Sequence, residues 1–151
     1  MSWHTGPLAL FDLETTGVDP HRDRIVPPDS ARALAEAGQK AGVQPRVLIQ
    51  VNTGAEPQKA GVLPDEADAL IAAARRLGLN LVGCMAIPPD DADPLPHFRA
   101  LAAIAKRNDL PGLSMGMSGD YETAIRCGAT HVRVGTALFG ERNRPETPSS
   151  S

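Results

Sequence analysis

The chain has 151 residues, 42% of them apolar, and a formal net charge of −3 at pH 7. This length and composition favour one domain with a buried core, and the charge excludes a bulk electrostatic attraction to nucleic acid. No apolar run approaches the roughly 18 residues of a membrane span, so we expect neither nucleic-acid nor membrane partners. The cysteines, Cys84 and Cys127, have no metal-ligand spacing, which predicts a cytoplasmic chain with reduced thiols.

Strand and helix signals alternate along the chain. Several strand candidates are continuous apolar runs, typical of parallel strands buried on both faces. The sequence predicts strands at 8–13, 46–52, 79–87, 112–117 and 131–140, helices at 30–40, 64–78, 97–108 and 119–128, and loops at 17–30 and 88–96. Single helices between buried strands indicate parallel βα units, which fit an open doubly wound sheet or part of a (β/α) barrel.

The first predicted strand leads into a pair of carboxylates. Asp12 and Glu14 stand two residues apart in FDLETTGVDPHRDRIV (11–26), so on a strand they share one face and can share a metal ion. This segment resembles the first motif of the DEDD-type 3′–5′ exonucleases, which implies that both residues hold Mg²⁺ for phosphodiester hydrolysis. That family's second aspartate and general base have no counterpart here. A carboxylate pair without a metal is the alternative interpretation.

Most of the remaining chain carries a second set of motifs. They are VLIQVNTGAEPQKAGV, GCMAIPP, LSMGMSGDYETAI and GATHVRVGTALFGER. On these motifs, residues 29–142 resemble the C-terminal half of the YggS-type pyridoxal 5′-phosphate (PLP) homeostasis proteins, relatives of the barrel domain of alanine racemase. The resemblance implies an α/β fold and PLP as cofactor. The expected architecture is a partial (β/α) TIM-type barrel of parallel strands, with roughly the C-terminal four βα units plus one N-terminal strand.

Two small-residue loops follow predicted strands and suit a phosphate group, because backbone N–H groups approach an anion closely where side chains are small. The first contains Met117, Ser118 and Gly119, and the second contains Gly135 and Thr136. The resemblance places the PLP phosphate at Ser118, Gly135 and Thr136, and Met117 is predicted to line the pocket. The alternative is that Ser118 only caps a helix and Gly135 only permits close packing.

Arg133 lies between Val132 and Val134 in the last predicted strand. Alternation points its side chain away from the valines, into the barrel interior if the valines face the helices. The resemblance places it near the pyridine nitrogen of PLP, where an arginine keeps that nitrogen unprotonated and weakens the cofactor as an electron sink. We therefore expect a PLP-binding protein without catalytic residues. A surface or ion-paired arginine is the alternative.

The sequence contains three lysines, Lys40, Lys59 and Lys106. None stands in the first-strand context of the lysine that holds PLP covalently in the resembled family, so PLP or a related vitamer is expected to bind without a covalent bond. Lys59 follows a strand and can reach the same end of a barrel; a solvated lysine is the alternative. Asn52 serves either as a turn former or as a polar group of the cofactor site.

Two resemblances in one chain indicate a chimera. Residues 1–28 would be an exonuclease-motif-like segment and linker, 29–142 a PLP-binding half-barrel, and 143–151 a disordered tail. Half a barrel has open strand edges. We expect these edges to be covered by homodimerisation, or by strand 8–13 pairing beside strand 46–52. A metal-dependent exonuclease fragment and an inert structural fragment are the alternative functions.

Overall fold

The computed structural model describes residues 24–26, 31–42 and 44–134. These residues form one parallel sheet whose strands follow chain order, with a helix between each strand and the next. The strands are β1 Arg24–Val26, β2 Arg46–Gln50, β3 Asn80–Met85, β4 Gly112–Met117 and β5 His131–Arg133, and the helices are α1 Ala31–Ala41, α2 Ala67–Arg76, α3 Pro94–Arg107 and α4 Tyr121–Arg126. A doubly wound sheet would reverse its strand order part-way. The unbroken order is that of a partial (β/α) barrel, as predicted.

The helix-facing side of the sheet carries the main hydrophobic core. Alternate residues of β2 and its extension point to this side, and α2 and α3 pack against it through their apolar stripes. The core includes Val47, Ile49, Val51, Ala67, Ile71, Ala74, Cys84, Phe98, Leu101, Ile104, Leu113 and Met115. None of the described helices is long and apolar enough to cross a membrane.

The opposite side of the sheet, here called the inner face, is also buried. Leu48, Gln50, Met85 and Ser114 are at most 5% exposed yet lie outside the helix-side core. Strand pairing aligns Gln50 with Met85 and Met85 with Ser114, so these three form one row across β2, β3 and β4. The inner face therefore carries two polar side chains with a methionine between them.

The strand beside β2 is formed by Arg24–Val26, a segment that the sequence placed in a loop. Its three residues pair in parallel with Val47, Leu48 and Ile49. The expectation that strand 8–13 pairs beside β2 is therefore wrong, because β1 and β3 occupy the two edges of β2. Three residues among prolines and aspartates are too few to show alternation, and tertiary pairing decides their conformation. Residues 8–13 lie outside the described part of the chain.

Helix α3 begins at Pro94, three residues before the predicted start. The N–H of Leu95 donates a hydrogen bond to Oδ1 of Asp93 at 3.1 Å, which caps the helix. Pro94 lies in the first turn, where its missing N–H would have no intrahelical partner. The segment 88–96, predicted as a loop from its prolines and aspartates, thus contains the helix start.

A bulge interrupts the pairing of β4 with β5 near their carboxyl ends. Between two successive residue pairs, β4 advances by three residues while β5 advances by two. Gly116 lies within this stretch with a φ of +101°, and a Cβ there would come 2.7 Å from Cβ of Ala124 in α4. Glycine at 116 therefore permits both the backbone turn and the close approach of α4.

We expect Gly116→Ala to lower the free energy of unfolding by about 1–3 kcal/mol from backbone strain, with a further loss from the clash with α4. Gly119→Ala is the matched control, since a Cβ at Gly119 would meet no atom within 4 Å. Its effect should stay within about 0.5 kcal/mol. Urea unfolding of both variants measures the difference, and equal losses would contradict this account of Gly116.

Candidate functional site

The carboxyl ends of the strands lie along one edge of the sheet, because all strands run parallel. The chain leaves β2 through residues 51–63, β3 through 86–93 and β4 through 118–120. The first two loops are in contact, since a Cβ on Gly54 would lie 2.5 Å from Cγ of Pro89. Ligands of barrels bind at this edge, which we call the carboxyl edge.

Arg133 joins three strands at the carboxyl edge. From β5, its Nη1 donates to the carbonyl oxygen of Ser114 at 3.1 Å and to Oγ of Ser114 at 2.9 Å. Its Nη2 donates to the carbonyl oxygen of Ala86, just beyond β3, at 2.9 Å. The residue is 4% exposed, so the alternative of a surface arginine is wrong. Because Ser114 belongs to the inner face, the guanidinium lies on that face, the orientation that alternation predicts.

Burial lowers the pKa of Arg133 to about 10, and the charge of Asp120 acts in the opposite direction. The guanidinium is still a cation at neutral pH, because this value lies well above 7. The three hydrogen bonds described above go to neutral oxygens. The inner face at the carboxyl edge therefore carries a buried cation.

The loop after β4 forms a turn closed by Asp120. Its Oδ1 accepts a hydrogen bond from the N–H of Met117 at 2.7 Å, and its own N–H donates to the carbonyl oxygen of Met117 at 3.1 Å. Ser118 and Gly119 occupy the middle of the turn, half-buried and exposed respectively, and the side chain of Met117 is exposed. Helix α4 begins at Tyr121 with Asp120 at the cap position, so the alternative of Ser118 as the helix cap is wrong.

Lys59 reaches the carboxyl edge from the loop after β2. Its Nζ lies 2.8 Å from Oε2 of Glu56 and donates to the carbonyl oxygen of Pro88 at 3.1 Å. Lys40 and Lys106 lie in the last turns of α1 and α3. Those helices run antiparallel to the strands, so their ends lie at the opposite edge of the sheet. Among the three lysines, Lys59 alone is placed near the predicted cofactor site.

Asn52 holds the loop after β2 together. Its Nδ2 donates to the carbonyl oxygens of Glu56 at 2.8 Å and Lys59 at 3.3 Å, and its Oδ1 accepts from the N–H of Glu56 at 3.1 Å. These contacts match the turn-forming interpretation of Asn52. Asn52 thus helps to fix the position of the loop that carries Lys59.

The sequence interpretation missed two polar residues of the inner face, Ser114 and Gln50. Ser114 accepts hydrogen bonds from Arg133, and Oε1 of Gln50 is buried without a hydrogen-bond partner in the described part of the chain. A signal was present, because each is a lone polar residue inside an apolar strand. The alternation that oriented Arg133 would have placed both side chains on the inner face.

Four predicted site residues lie outside the residues described, namely Gly135, Thr136, Asp12 and Glu14. Their roles in phosphate and Mg²⁺ binding stay predictions. Within residues 24–26, 31–42 and 44–134, no three His, Cys, Asp or Glu side chains are grouped so as to hold a metal ion.

Residues 25–143 match the protein family described as the alanine racemase N-terminal domain. The chain belongs to the alanine racemase N-terminal domain family. A pyridoxal phosphate homeostasis protein of Deinococcus radiodurans is 45% identical over 91% of the chain, and one of Vibrio cholerae is 40% identical over 95%. The chain spans 66% and 65% of these two relatives, slightly less than two thirds of their length.

Solved structures support the same assignment to the alanine racemase N-terminal domain family. PipY of Synechococcus elongatus without PLP superposes with a TM-score of 0.70 at 29% identity, covering 79% of this chain and 60% of PipY. PipY with PLP bound gives a TM-score of 0.63 at 26% identity, with the same coverage. The predicted partial barrel and the resemblance to PLP homeostasis proteins are thus confirmed. The exonuclease resemblance of residues 11–26 is untested and stays a prediction.

We expect Arg133→Met to lower the free energy of unfolding of this family member by about 1–3 kcal/mol, because Ala86 O and Ser114 Oγ lose a buried donor. Arg126→Met is the matched control. The Arg126 side chain is 79% exposed, and its ion pair with Glu122 is long and exposed, with 4.0 Å between Nη2 and Oε2. The control should change stability by about 0.5 kcal/mol or less. Urea unfolding compares them, and an equally mild effect of Arg133→Met would show that its hydrogen bonds contribute little.

Proposed function

We propose that this chain is a PLP-binding protein of the PLP homeostasis type, without catalytic turnover of its own. The observation that carries the proposal is the buried guanidinium of Arg133, held at the carboxyl edge by Ser114 and Ala86. A fixed cation with several donors on the inner face matches a ligand that presents acceptors and negative charge.

In this proposal, Arg133 donates to the pyridine nitrogen of PLP. When bound, PLP supplies an electron sink whose strength depends on the protonation of that nitrogen. Arg133, with its pKa of about 10, stays protonated at neutral pH and so does not transfer its proton to the ring. The residue would orient the ring without activating it, which supports a role in carrying PLP and not in catalysis.

The phosphate of PLP is proposed to bind at the turn that contains Ser118 and Gly119, with Gly135 and Thr136 completing the site. The open space beside Gly119 supports this assignment, because no side chain of the described residues crowds a Cβ position there. Backbone N–H groups in such a turn, together with the Ser118 hydroxyl, are suitable donors to phosphate oxygens. Met117, exposed beside the turn, would line the entrance.

Two observations support non-covalent binding. None of the three lysines of this chain stands in the sequence context of the lysine that holds PLP in the resembled family. Lys59, at the carboxyl edge, already contacts Glu56 and Pro88. We propose that Lys59 contributes positive charge near the cofactor without forming a bond to it. The names of the Deinococcus and Vibrio relatives and the PLP bound to PipY support the choice of ligand.

Titration of the protein with PLP, followed by absorbance and by calorimetry, is expected to show saturable binding. Arg133→Gln should weaken binding at least about tenfold, the factor that corresponds to about 1.4 kcal/mol. Arg126→Gln is the matched control, because that arginine is exposed on α4 and should leave the affinity unchanged. Borohydride treatment followed by intact-mass measurement should add no phosphopyridoxyl group.

Several results would contradict this proposal. Absence of any spectral or calorimetric change at millimolar PLP would reject the ligand. A stable adduct mapped to Lys59 would reject non-covalent binding while keeping PLP. Circular dichroism of Arg133→Gln separates lost binding from lost folding, and Ser118→Ala, which leaves the Arg133 contacts intact, provides a second variant with an expected loss of affinity.

We also propose that the chain forms a homodimer in the cytoplasm. Among the described strands, β1 and β5 each pair on one side only, and such edges present unpaired N–H and C=O groups. A second copy would cover these edges and enclose the inner face. Both cysteines, Cys84 and Cys127, are free thiols, which supports a reducing compartment.

Light scattering across a hundredfold range of protein concentration is expected to give twice the mass of the chain at the upper end. The physical reason is that edge pairing buries backbone groups that would otherwise stay in water. PLP should shift the equilibrium toward the dimer if the second copy encloses the cofactor site. A monomer throughout, with and without PLP, would contradict the dimer but not the ligand.

A further inference from the structure

Helix α1 contacts the core through small residues. Its two buried residues are Ala31 and Gly38, and its single leucine, Leu34, is half-buried. By contrast, the residues that α3 buries are Phe98, Leu101, Ile104 and Ala105. Helix α1 therefore lacks the large buried side chains that anchor α3 to the sheet.

A groove borders α1 at the amino edge of the sheet, which is the edge where the strands begin. The groove has a volume of about 310 Å³ and lies between the last turns of α1 and the segments that lead into β2 and β3. Its apolar lining comes from Leu34, Pro45, Leu77 and Leu79, and the three leucines are only partly buried. Apolar side chains that filled the groove would remove these surfaces from water, which is favourable.

The chain enters β1 beside this groove. Arg24, the first residue of β1, pairs with Val47 of β2, and the lining residue Pro45 stands two residues before Val47. Since paired strands lie about 4.8 Å apart, Cα of Arg24 is within about 10 Å of Cα of Pro45. The segment after β5 leaves the sheet three strands from β2 and at the carboxyl edge. The segment before β1 is therefore the one that leads to the groove.

Residues 8–13, outside the described part of the chain, carry the kind of side chain that α1 lacks. The run LALFDL has five apolar residues and one aspartate. Ten residues separate this run from β1, and an extended segment of that length spans about 33 Å, so the run can reach the groove. The aspartate, Asp12, has a complementary charge in Lys40, which is exposed in the last turn of α1 beside the lining residue Gln39.

We propose that the groove beside α1 is the docking site of residues 8–13 of the same chain. The apolar side chains of this run fill the groove, cover Leu34, Leu77 and Leu79, and give α1 the large apolar contacts that it lacks. The inference is independent of the proposed function, because the groove lies at the amino edge and the proposed cofactor site at the carboxyl edge. A second copy of the chain and an undocked segment are the alternatives that the experiment separates.

Cross-linking from two positions of the N-terminal segment tests the docking in the full chain. Ala9→Cys or Thr16→Cys is combined with Gln39→Cys at the groove, in a Cys127→Ser background, since Cys84 is buried. An undocked segment links position 16 more readily than position 9, because the effective concentration falls as the tether grows longer. Docking reverses this order. With a short bismaleimide, we expect at least about threefold more product from position 9.

The linked products, mapped by mass spectrometry, decide between the occupants. A link within one chain, with a yield that stays constant on dilution and favours position 9, supports the docking. Adding Leu10→Ser and Phe11→Ser should then restore the order of an undocked tether. A yield that favours position 16 in the otherwise unchanged segment overturns the proposal. A link between two chains that increases with concentration assigns the groove to a second copy and also overturns it.

Amide hydrogen exchange gives a second readout at α1 itself. Leu10→Ser should speed the exchange of amides in Ala31–Ala41 at least about tenfold, because the docked run loses a large buried side chain, while exchange in α3 stays unchanged. Leu63→Ser is the matched control, since this leucine is 42% exposed in the loop after β2. Unchanged exchange of α1 in Leu10→Ser would overturn the docking and leave PLP binding unaffected.

Discussion

The carboxyl edge of this half-barrel depends on one buried arginine. A guanidinium taken out of water loses its hydration, and the loss is offset only if its N–H groups find well-placed acceptors. Arg133 finds them on two other strands, and the carbonyl oxygen of Ser114 accepts from both the N–H of Ala86 at 3.2 Å and Nη1 of Arg133 at 3.1 Å. Arg133 thereby ties β5 to the middle of β4 and to the residue just beyond β3, and these contacts fix its position without a ligand.

The loop after β2 is organised independently of that arginine. The Asn52 side chain makes the hydrogen bonds that hold the turn. Lys59 contacts Glu56 and the carbonyl oxygen of Pro88. The loop is thus anchored both to itself and to the segment after β3. Two separate sets of hydrogen bonds therefore arrange the carboxyl edge, one centred on Arg133 and one on Asn52 and Lys59.

Sequence patterns predicted the alternating buried strands and helices. They missed features that depend on a single tertiary contact, such as the pairing of β1 with β2. Strand 112–117 was predicted with its observed bounds. The continuous apolar run of 46–52 likewise predicted the buried strand β2. β1 was missed because its three residues owe their conformation to pairing with β2. In the site, alternation oriented Arg133 correctly. It was not applied to Gln50, whose missing partner becomes visible only in three dimensions.

The bulge at Gly116 shifts the alternation of β4 side chains between the two faces of the sheet. Leu113 and Met115 belong to the helix-side core, and strict alternation would send Met117 there as well. The extra residue instead pairs Met117 with Arg133 and leaves its side chain exposed. The packing of β4 against the helices therefore does not determine which way the side chains after the bulge point. A substitution after the bulge can therefore change the exposed loop without disturbing the residues before it that pack against the helices.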